Sequence, residues 1–125
     1  MNVPANLKYS SDHEWVQVDG DTATIGITDY AQGELGDVVF VELPAVGDSF
    51  DNGDVAGTIE AVKTVADLFL PVGGEIEAVN ENLEDNSELI NQDAYGEGWI
   101  LKIKMTDAAE LDSLMDAEAY TASIS

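Results

Sequence analysis

The chain has 125 residues, a length that fits one domain spanning residues 1–125 with an apolar core of ordinary size. Its 26 Asp and Glu residues stand against four Lys and no Arg, so the formal net charge is −22. Such a chain is not expected to bind nucleic acid or an anionic membrane surface, because both require Lys and Arg side chains to meet phosphate groups.

Alternation of apolar and polar residues predicts short β-strands through most of the chain. Residues 14–18 and 22–27 are predicted to pair as a hairpin around a polar turn that contains glycine. Thr28 or Asp29 is then suited to cap a short helix near 28–35. The remaining predicted strands lie at 37–43, 54–62, 64–72, 75–79 and 99–105.

The second half of the chain contains a long polar stretch and then a change of period. Residues 80–98 are predicted to form a loop with one helical turn. From Asp107 onward, apolar residues recur at the spacing of one helix face, which predicts a C-terminal helix near 107–120. The residues of that face are Leu111, Leu114, Met115 and Ala119. Many short strands, Gly-rich turns and one closing helix are typical of a mostly β sandwich or barrel.

The N-terminal segment Met1–Pro4 has neither the basic region nor the apolar stretch of a signal peptide. No apolar run approaches the ~20 residues that a membrane-spanning helix needs. Hydrophobic residues make up 45% of the chain and lie in strand-like runs, so the acidity does not indicate disorder. We expect a folded cytoplasmic protein adapted to high salt, because screening reduces the repulsion between carboxylates.

The sequence offers no self-sufficient catalytic set. It contains no Cys, and its single His is His13, which excludes disulfide bonds and any zinc, copper or haem site built from several His or Cys ligands. Two interpretations of His13 stay open: an acid–base pair with the adjacent Glu14, or local packing beside Trp15. No G-x-S-x-G motif is present to supply a nucleophile. A carrier or binding module is therefore favoured over an enzyme, and no metal site is expected.

Lys63 is one of only four lysines, and it lies where two predicted strands meet. A hairpin tip holds a side chain on a rigid base while exposing it to another protein. The amine of such a lysine is a natural attachment point for an amide-linked prosthetic group, since it can attack an activated carboxyl. A lysine at a strand edge can equally serve only to keep the surface soluble. The residues alone leave both interpretations open.

Four motifs occur in order along nearly the whole chain, from about Leu7 to Tyr120. They lie at residues 9–16, at 25–44, at 57–63 with Asp67 and 71–75, and at 95–100 with Lys102 and Lys104. In this combination and order the chain resembles the H proteins of the glycine cleavage system, a family of lipoyl carriers.

The resemblance implies a fold and a set of site residues. The fold would be the barrel-sandwich hybrid of lipoyl and biotinyl carriers. Lys63 matches the family's lipoyl-lysine, with lipoate bound through an amide, and Glu60 and Asp67 form its recognition context. Glu14 and Asp67 match the residues that contact the aminomethyl-bearing arm. The chain departs from some relatives at two nearby positions, with Asp12 where they have Ser and Glu34 where they have His.

The resemblance also implies a non-catalytic role as a shuttle in glycine catabolism and one-carbon metabolism. The lipoyl arm would accept an aminomethyl group from pyridoxal-phosphate-dependent glycine decarboxylase and present it to the tetrahydrofolate-dependent aminomethyltransferase. Dihydrolipoyl dehydrogenase, an FAD enzyme, would reoxidise the arm. A lipoate ligase or lipoyl transferase would attach it. Relatives suggest a monomer.

Two other functions stay open at this stage. The first is a lipoyl-relay protein of the same fold, which supplies lipoyl groups to 2-oxoacid dehydrogenases and needs the same modified lysine. The second is an unmodified binding module in which Lys63 is only a surface residue. The sequence does not separate the relay protein from a glycine cleavage carrier, because both need the same modified lysine, whereas the Glu60 context and the match over nearly the whole chain argue against the binding module.

Overall fold

The structure, a computed structural model, describes residues 3–124 and contains two antiparallel sheets built from short strands. The helices are short, with four to eight residues each, as expected where period-2 patterning dominates. The strands are β1 (Lys8–Tyr9), β2 (Glu14–Asp19), β3 (Thr22–Ile27), β4 (Val38–Glu42), β5 (Ser49–Phe50), β6 (Val55–Ala61), β7 (Val65–Phe69), β8 (Gly74–Val79) and β9 (Leu101–Met105). The helices are α1 (Asp29–Leu35), α2 (Asn82–Asp85), α3 (Leu89–Gln92) and α4 (Ala117–Ile124), with a 3₁₀ helix at Ala108–Ser113.

The larger sheet has the order β1-β2-β3-β9-β8-β5, and the smaller has the order β4-β6-β7. Alternate residues of each strand point to opposite faces, so one face of each sheet is apolar. In β9, for example, Leu101 and Ile103 are buried while Lys104 is exposed. The buried residues of both sheets form one continuous core, with a smaller aromatic cluster around Trp15 and Tyr120. This arrangement confirms the expected mostly β fold.

The short helix predicted near 28–35 is present as α1. The Thr28 hydroxyl oxygen caps it by accepting a hydrogen bond from the Ala31 amide at 3.2 Å. Gly36 ends it with a φ of +80°, a left-handed value that glycine adopts without the penalty of a side chain. No helix within residues 3–124 has the length and apolar character needed to cross a lipid bilayer.

A C-terminal helix is present, but the single helix expected at 107–120 is wrong in its bounds. The 3₁₀ helix ends at Ser113, Leu114 is extended, and Met115 exchanges two backbone hydrogen bonds of 2.8 Å with Tyr9. The Asp116 carboxylate then accepts a hydrogen bond from the Ala119 amide at 2.8 Å, and α4 begins after it. The apolar spacing was therefore misleading because a strand-like contact with β1 interrupts the helix.

The predicted loop at 80–98 contains two single-turn helices, α2 and α3, rather than one helical turn. Two strands of two residues each, β1 and β5, were not predicted, since such short segments carry no alternation. Both lie at the edges of the larger sheet, where only one neighbouring strand pairs with them.

Candidate functional site

Lys63 lies at the tip of the hairpin that joins β6 to β7. The Ala61 amide donates to the Thr64 carbonyl at 2.8 Å and closes the turn, so Val62 and Lys63 project from it and are exposed. The Val62 amide donates to the Asp37 carbonyl at 3.0 Å, which ties the tip to the segment before β4. The lysine is therefore held on a rigid base and is open to solvent.

The Lys63 side chain lies across Gly36, where α1 ends. A Cβ atom placed on Gly36 would come within 3.1 Å of the Lys63 Cε and 3.7 Å of its Nζ. Glycine at this position thus serves two needs, the left-handed turn after α1 and the space for the lysine stem.

The side chain of Asn91, in α3, holds the segment around Gly36 in place. Its side-chain amide donates to the Gly36 carbonyl at 2.8 Å and to the Gln32 side-chain oxygen at 2.9 Å. Its side-chain oxygen accepts from the Val38 amide at 2.8 Å. One side chain therefore joins the end of α1 to the start of β4, at the segment that the Lys63 side chain crosses.

A cleft of about 340 Å³ lies between the start of β2, α1 and the β6–β7 hairpin. Its floor is apolar, with Ile27, Leu35 and Ile59 among the lining residues. The polar and charged residues that line it are Asp12, His13, Glu14, Tyr30, Glu34 and Asp67. The structure thus brings Glu14 and Asp67 to one cavity, together with the two acidic departures at Asp12 and Glu34.

Glu60 does not lie in this cleft. It is exposed on the outer face of the smaller sheet, in register with Phe40 of β4 on one side and Val65 of β7 on the other. Of the two acids grouped with Lys63 from the sequence, Asp67 therefore lines the cleft and Glu60 does not.

Glu14 is the buried acid of the cleft, with only 2% of its surface exposed. Burial raises the pKa of its carboxyl from 4.5 to about 7. The Ser10 hydroxyl, which donates to the carboxylate at 2.5 Å, opposes that rise in the pKa. The negative charge of Asp12 adds to the rise, and the Phe69 backbone amide opposes it. Glu14 consequently exchanges its proton close to neutral pH.

His13 is not hydrogen-bonded to Glu14. Its Nδ1 lies 2.9 Å from the Tyr120 hydroxyl, and that hydroxyl lies 2.7 Å from the Thr28 hydroxyl. The imidazole ring also contacts the ring of Tyr30 at 4.9 Å between centroids. His13 has a φ of +68°, which its place in the tight turn before β2 imposes. Of the two interpretations of His13, the structure supports packing over an acid–base pair, although the packing partners are Tyr30 and the distant Tyr120 rather than Trp15.

Three residues of this site were not singled out from the sequence: Ser10, Asn91 and Tyr120. Ser10 reaches Glu14 because the chain folds back on itself between them, with the His13 amide donating to the Ser10 carbonyl at 3.2 Å. Asn91 lies in a stretch whose polarity suggested only a solvated loop. Tyr120 lies 107 residues from His13, so only the tertiary fold brings the two together.

Comparisons with known proteins agree on one family. The family model described as "Glycine cleavage H-protein" matches residues 7–125. A glycine cleavage system H protein from Bacteroides thetaiotaomicron is 58% identical over 122 residues, covering 98% of this chain and 97% of the relative. A second, from Halothermothrix orenii, is 56% identical over 120 residues, covering 96% and 94%. The crystal structure of a glycine cleavage system H protein from Mycobacterium marinum superposes with a TM-score of 0.90 at 36% identity, covering 98% of both chains.

Proposed function

Because this chain belongs to the glycine cleavage H-protein family, whose members are lipoyl carriers and not catalysts, we propose that Lys63 carries its lipoyl group as an amide on Nζ. The observation that supports this most directly is the placement of Lys63, exposed at a closed hairpin tip and beside a cleft. A carrier needs its attachment point fixed and its arm free, because a tethered group reaches a high effective concentration at each partner's site.

The residues of the cleft fit a lipoyl arm that bears a cationic amine. Ile27, Leu35 and Ile59 offer apolar surface for the hydrocarbon part of the arm, and Glu14 and Asp67 offer carboxylates for the amine. The Lys63 stem already folds back over Gly36, next to the helix that forms one wall of the cleft. The arm therefore has a short path from its attachment point into the cavity.

The lipoyl group, when attached, supplies the sulfur that carries the aminomethyl unit between enzymes. The chain's own residues provide shelter and a counter-charge. Glu14, once ionised, pairs with the ammonium end, and burial strengthens that attraction relative to water. Asp12 and Glu34 line the same cleft and add to its negative potential. The apolar floor limits the access of water to the carried group.

We assign Glu60 and Asp67 to the recognition of Lys63 by the enzyme that lipoylates it. The partners in the cycle are glycine decarboxylase with pyridoxal phosphate, the tetrahydrofolate-dependent aminomethyltransferase, and dihydrolipoyl dehydrogenase with FAD. We also propose that the chain works as a cytoplasmic monomer built from one domain, and that its net charge of −22 is an adaptation to high salt.

A reconstituted assay tests this function. The lipoylated chain is mixed with purified glycine decarboxylase, glycine and labelled bicarbonate, and the exchange of label into glycine is measured. The wild-type chain should support exchange, Lys63→Arg should reduce it to background, and Lys102→Arg should leave it at the wild-type level. Exchange that persists with Lys63→Arg would remove Lys63 as the attachment site.

A further inference from the structure

Four large apolar side chains lie exposed around the tip that carries Lys63. They form what we term the outer patch, and their exposed fractions are 57% for Val39, 49% for Phe40, 74% for Val62 and 55% for Val65. Single exposed apolar residues are common, but a contiguous group on a folded protein marks an interaction surface.

The register of the smaller sheet places members of the outer patch on both sides of Glu60. Phe40 and Val65 are the partners of Glu60 on its two sides, so all three side chains share the outer face of the sheet. Val62 precedes Lys63 at the tip, and its amide bonds to the carbonyl of Asp37, just before β4. The patch therefore lies on the outer face of the smaller sheet, next to the tip that carries Lys63.

A β-bulge in β4 exposes one member of this patch, Phe40. Regular alternation would place Val39 outside and Phe40 inside, but the register shifts between Val38 and Phe40. As a result Val38 and Val41 are buried, while the two residues between them are both exposed. Bulges re-aim side chains in this way next to functional sites. The fold thus exposes a phenylalanine that the strand could otherwise bury.

Carboxylates lie within and beside the outer patch. Asp37, Glu42 and Glu60 are exposed on the same strands or beside them. Two copies of the chain that met through this patch would bring these carboxylates against each other, which is unfavourable. A partner with an apolar pocket and a rim of Lys and Arg side chains has the complementary chemistry.

We propose that the outer patch is the docking face for the enzyme that attaches the lipoyl group to Lys63, and that this enzyme meets it with an apolar pocket rimmed by basic side chains. The inference rests on the proposed function of Lys63. Before modification there is no arm to recognise, so an enzyme that acts on the short lysine must contact the side chains that surround it. Enzymes that act later can reach the longer lipoyl arm from further away.

The attachment reaction defines the assay. The lipoate carboxylate attacks the α-phosphorus of ATP, which gives a lipoyl adenylate and releases pyrophosphate. The neutral Lys63 amine then attacks the carbonyl carbon of the adenylate. The amide bond forms, the bond from carbonyl carbon to the phosphate oxygen breaks, and AMP leaves. The nitrogen releases two protons to solvent, one before the attack and one after it. Each turnover therefore adds one lipoyl increment to the mass of the chain.

The test uses the full chain without lipoate, a purified lipoate–protein ligase, ATP and lipoate, with initial rates from intact mass. Phe40→Ser and Val65→Ser should each lower kcat/KM roughly tenfold, the loss typical of an apolar anchor at an interface. Val46→Ser is the matched control and should keep the wild-type rate, because Val46 is 62% exposed but lies beyond the far end of β4. Val62→Ser, in the turn rather than a strand, repeats the test where folding is least affected.

The outcomes separate this proposal from the function on which it rests. If the wild-type chain is modified on Lys63 and all three patch variants react as fast as Val46→Ser, the docking face is wrong and the carrier function stands. If the wild-type chain is not modified at all, both fail. A dimer in sedimentation experiments that Phe40→Ser dissolves would assign the patch to a second copy and overturn the proposal.

Discussion

Glu14 shows how one side chain couples the stability of this fold to the chemistry of its cleft. The carboxyl is almost fully buried, and the Ser10 hydroxyl and the Phe69 amide compensate only part of the loss of hydration. Its pKa therefore lies at about 7 rather than 4.5. A buried acid of this kind is unfavourable for an empty protein at neutral pH and favourable for one that holds a cation beside it.

Replacing Glu14 by Gln should change how stability depends on pH. Between pH 4.5 and 7 the folded chain holds a proton on Glu14 that the unfolded chain has lost, so this group makes wild-type stability fall as pH rises through that window. Glu14→Gln lacks this pH-dependent loss. Its free energy of unfolding relative to that of wild type should therefore increase by on the order of 2 kcal/mol from pH 5 to pH 8. Urea unfolding at several pH values measures the difference.

Glu60→Gln is the control for that series, because Glu60 is exposed on the outer face of the smaller sheet. Its stability curve should run parallel to the wild-type curve. Parallel curves for Glu14→Gln as well would show that Glu14 does not titrate near neutral pH in the folded chain.

The same substitution should weaken the protection of the carried group. In the proposed function, ionised Glu14 is the partner of the aminomethyl ammonium. The neutral amide of a glutamine carries no counter-charge, so the loaded arm of Glu14→Gln should hydrolyse faster than that of wild type. The ratio of the two rates should be larger at pH 8 than at pH 5, since wild-type Glu14 is protonated at low pH. Mass spectrometry of the loaded chain over time gives both rates, and equal rates at pH 8 would remove Glu14 from this role.

At the scale of elements, the hairpin that carries Lys63 depends on α1 and α3 beneath it. The end of α1 turns at Gly36, and the Asn91 side chain joins that turn to β4. The turn before β4 in turn holds the tip through the Asp37 carbonyl. Lys63 is therefore held in position by α1, α3 and the start of β4 as well as by its own hairpin.

Gly36→Ala tests this support. A Cβ at this position meets the Lys63 stem at 3.1 Å, and the φ of +80° is unfavourable for alanine. We expect a loss of about 1–2 kcal/mol in the free energy of unfolding and slower lipoylation of Lys63. Chemical denaturation and the ligase assay measure the two effects.

Gly33→Ala is the matched control, since Gly33 lies in the same helix and a Cβ there meets nothing within 4 Å. Alanine should stabilise this position by about 0.5–1 kcal/mol through its higher helix propensity. If Gly36→Ala behaved like Gly33→Ala, the proposed contact between Gly36 and the lysine stem would be wrong.

The elements predicted correctly from the sequence are those specified by residues close together in the chain. The hairpin of residues 14–27 and the helix at 28–35 form as expected, because alternation and a capping threonine specify them within a few residues. The helix at 107–120 was misplaced because Met115 pairs with Tyr9, which is distant in sequence. The bulge at Val39 was not predictable either, since four successive apolar residues give β4 no alternation to interrupt.

The candidate site likewise contains residues that the sequence predicted and residues that it did not. The family motifs pointed to Lys63, Glu14 and Asp67, and the structure places the two acids in one cleft beside the lysine hairpin. The positions of Ser10 and Asn91 depend on turns and loops that pack against the site, and the spacing of residues in the sequence does not predict such contacts. The outer patch can be identified only from the register of β4, β6 and β7.

At the scale of the whole molecule, the net charge of −22 is the dominant feature. Carboxylates cover both sheets and the loops between them, so their mutual repulsion opposes the folded state at low ionic strength. The same field favours partners with basic surfaces and steers them toward the chain. Salt should therefore affect folding and partner binding in opposite directions.

Thermal unfolding should reflect that repulsion. The midpoint should rise as sodium chloride increases from about 0.01 M to about 1 M, because the screening length falls from about 30 Å to about 3 Å. Circular dichroism against temperature measures it, with sucrose as a control for effects of solute that do not involve charge. A midpoint that does not change with salt would contradict the proposed adaptation to high salt.

The central claim is that Lys63 carries a lipoyl group, and the most direct measurement is the intact mass of the chain purified from its native source, with peptide mapping across residues 60–71. We predict one lipoyl increment, located on Lys63. An unmodified mass that persists after incubation with ligase, ATP and lipoate would contradict the claim, as would an increment on Lys8, Lys102 or Lys104 instead.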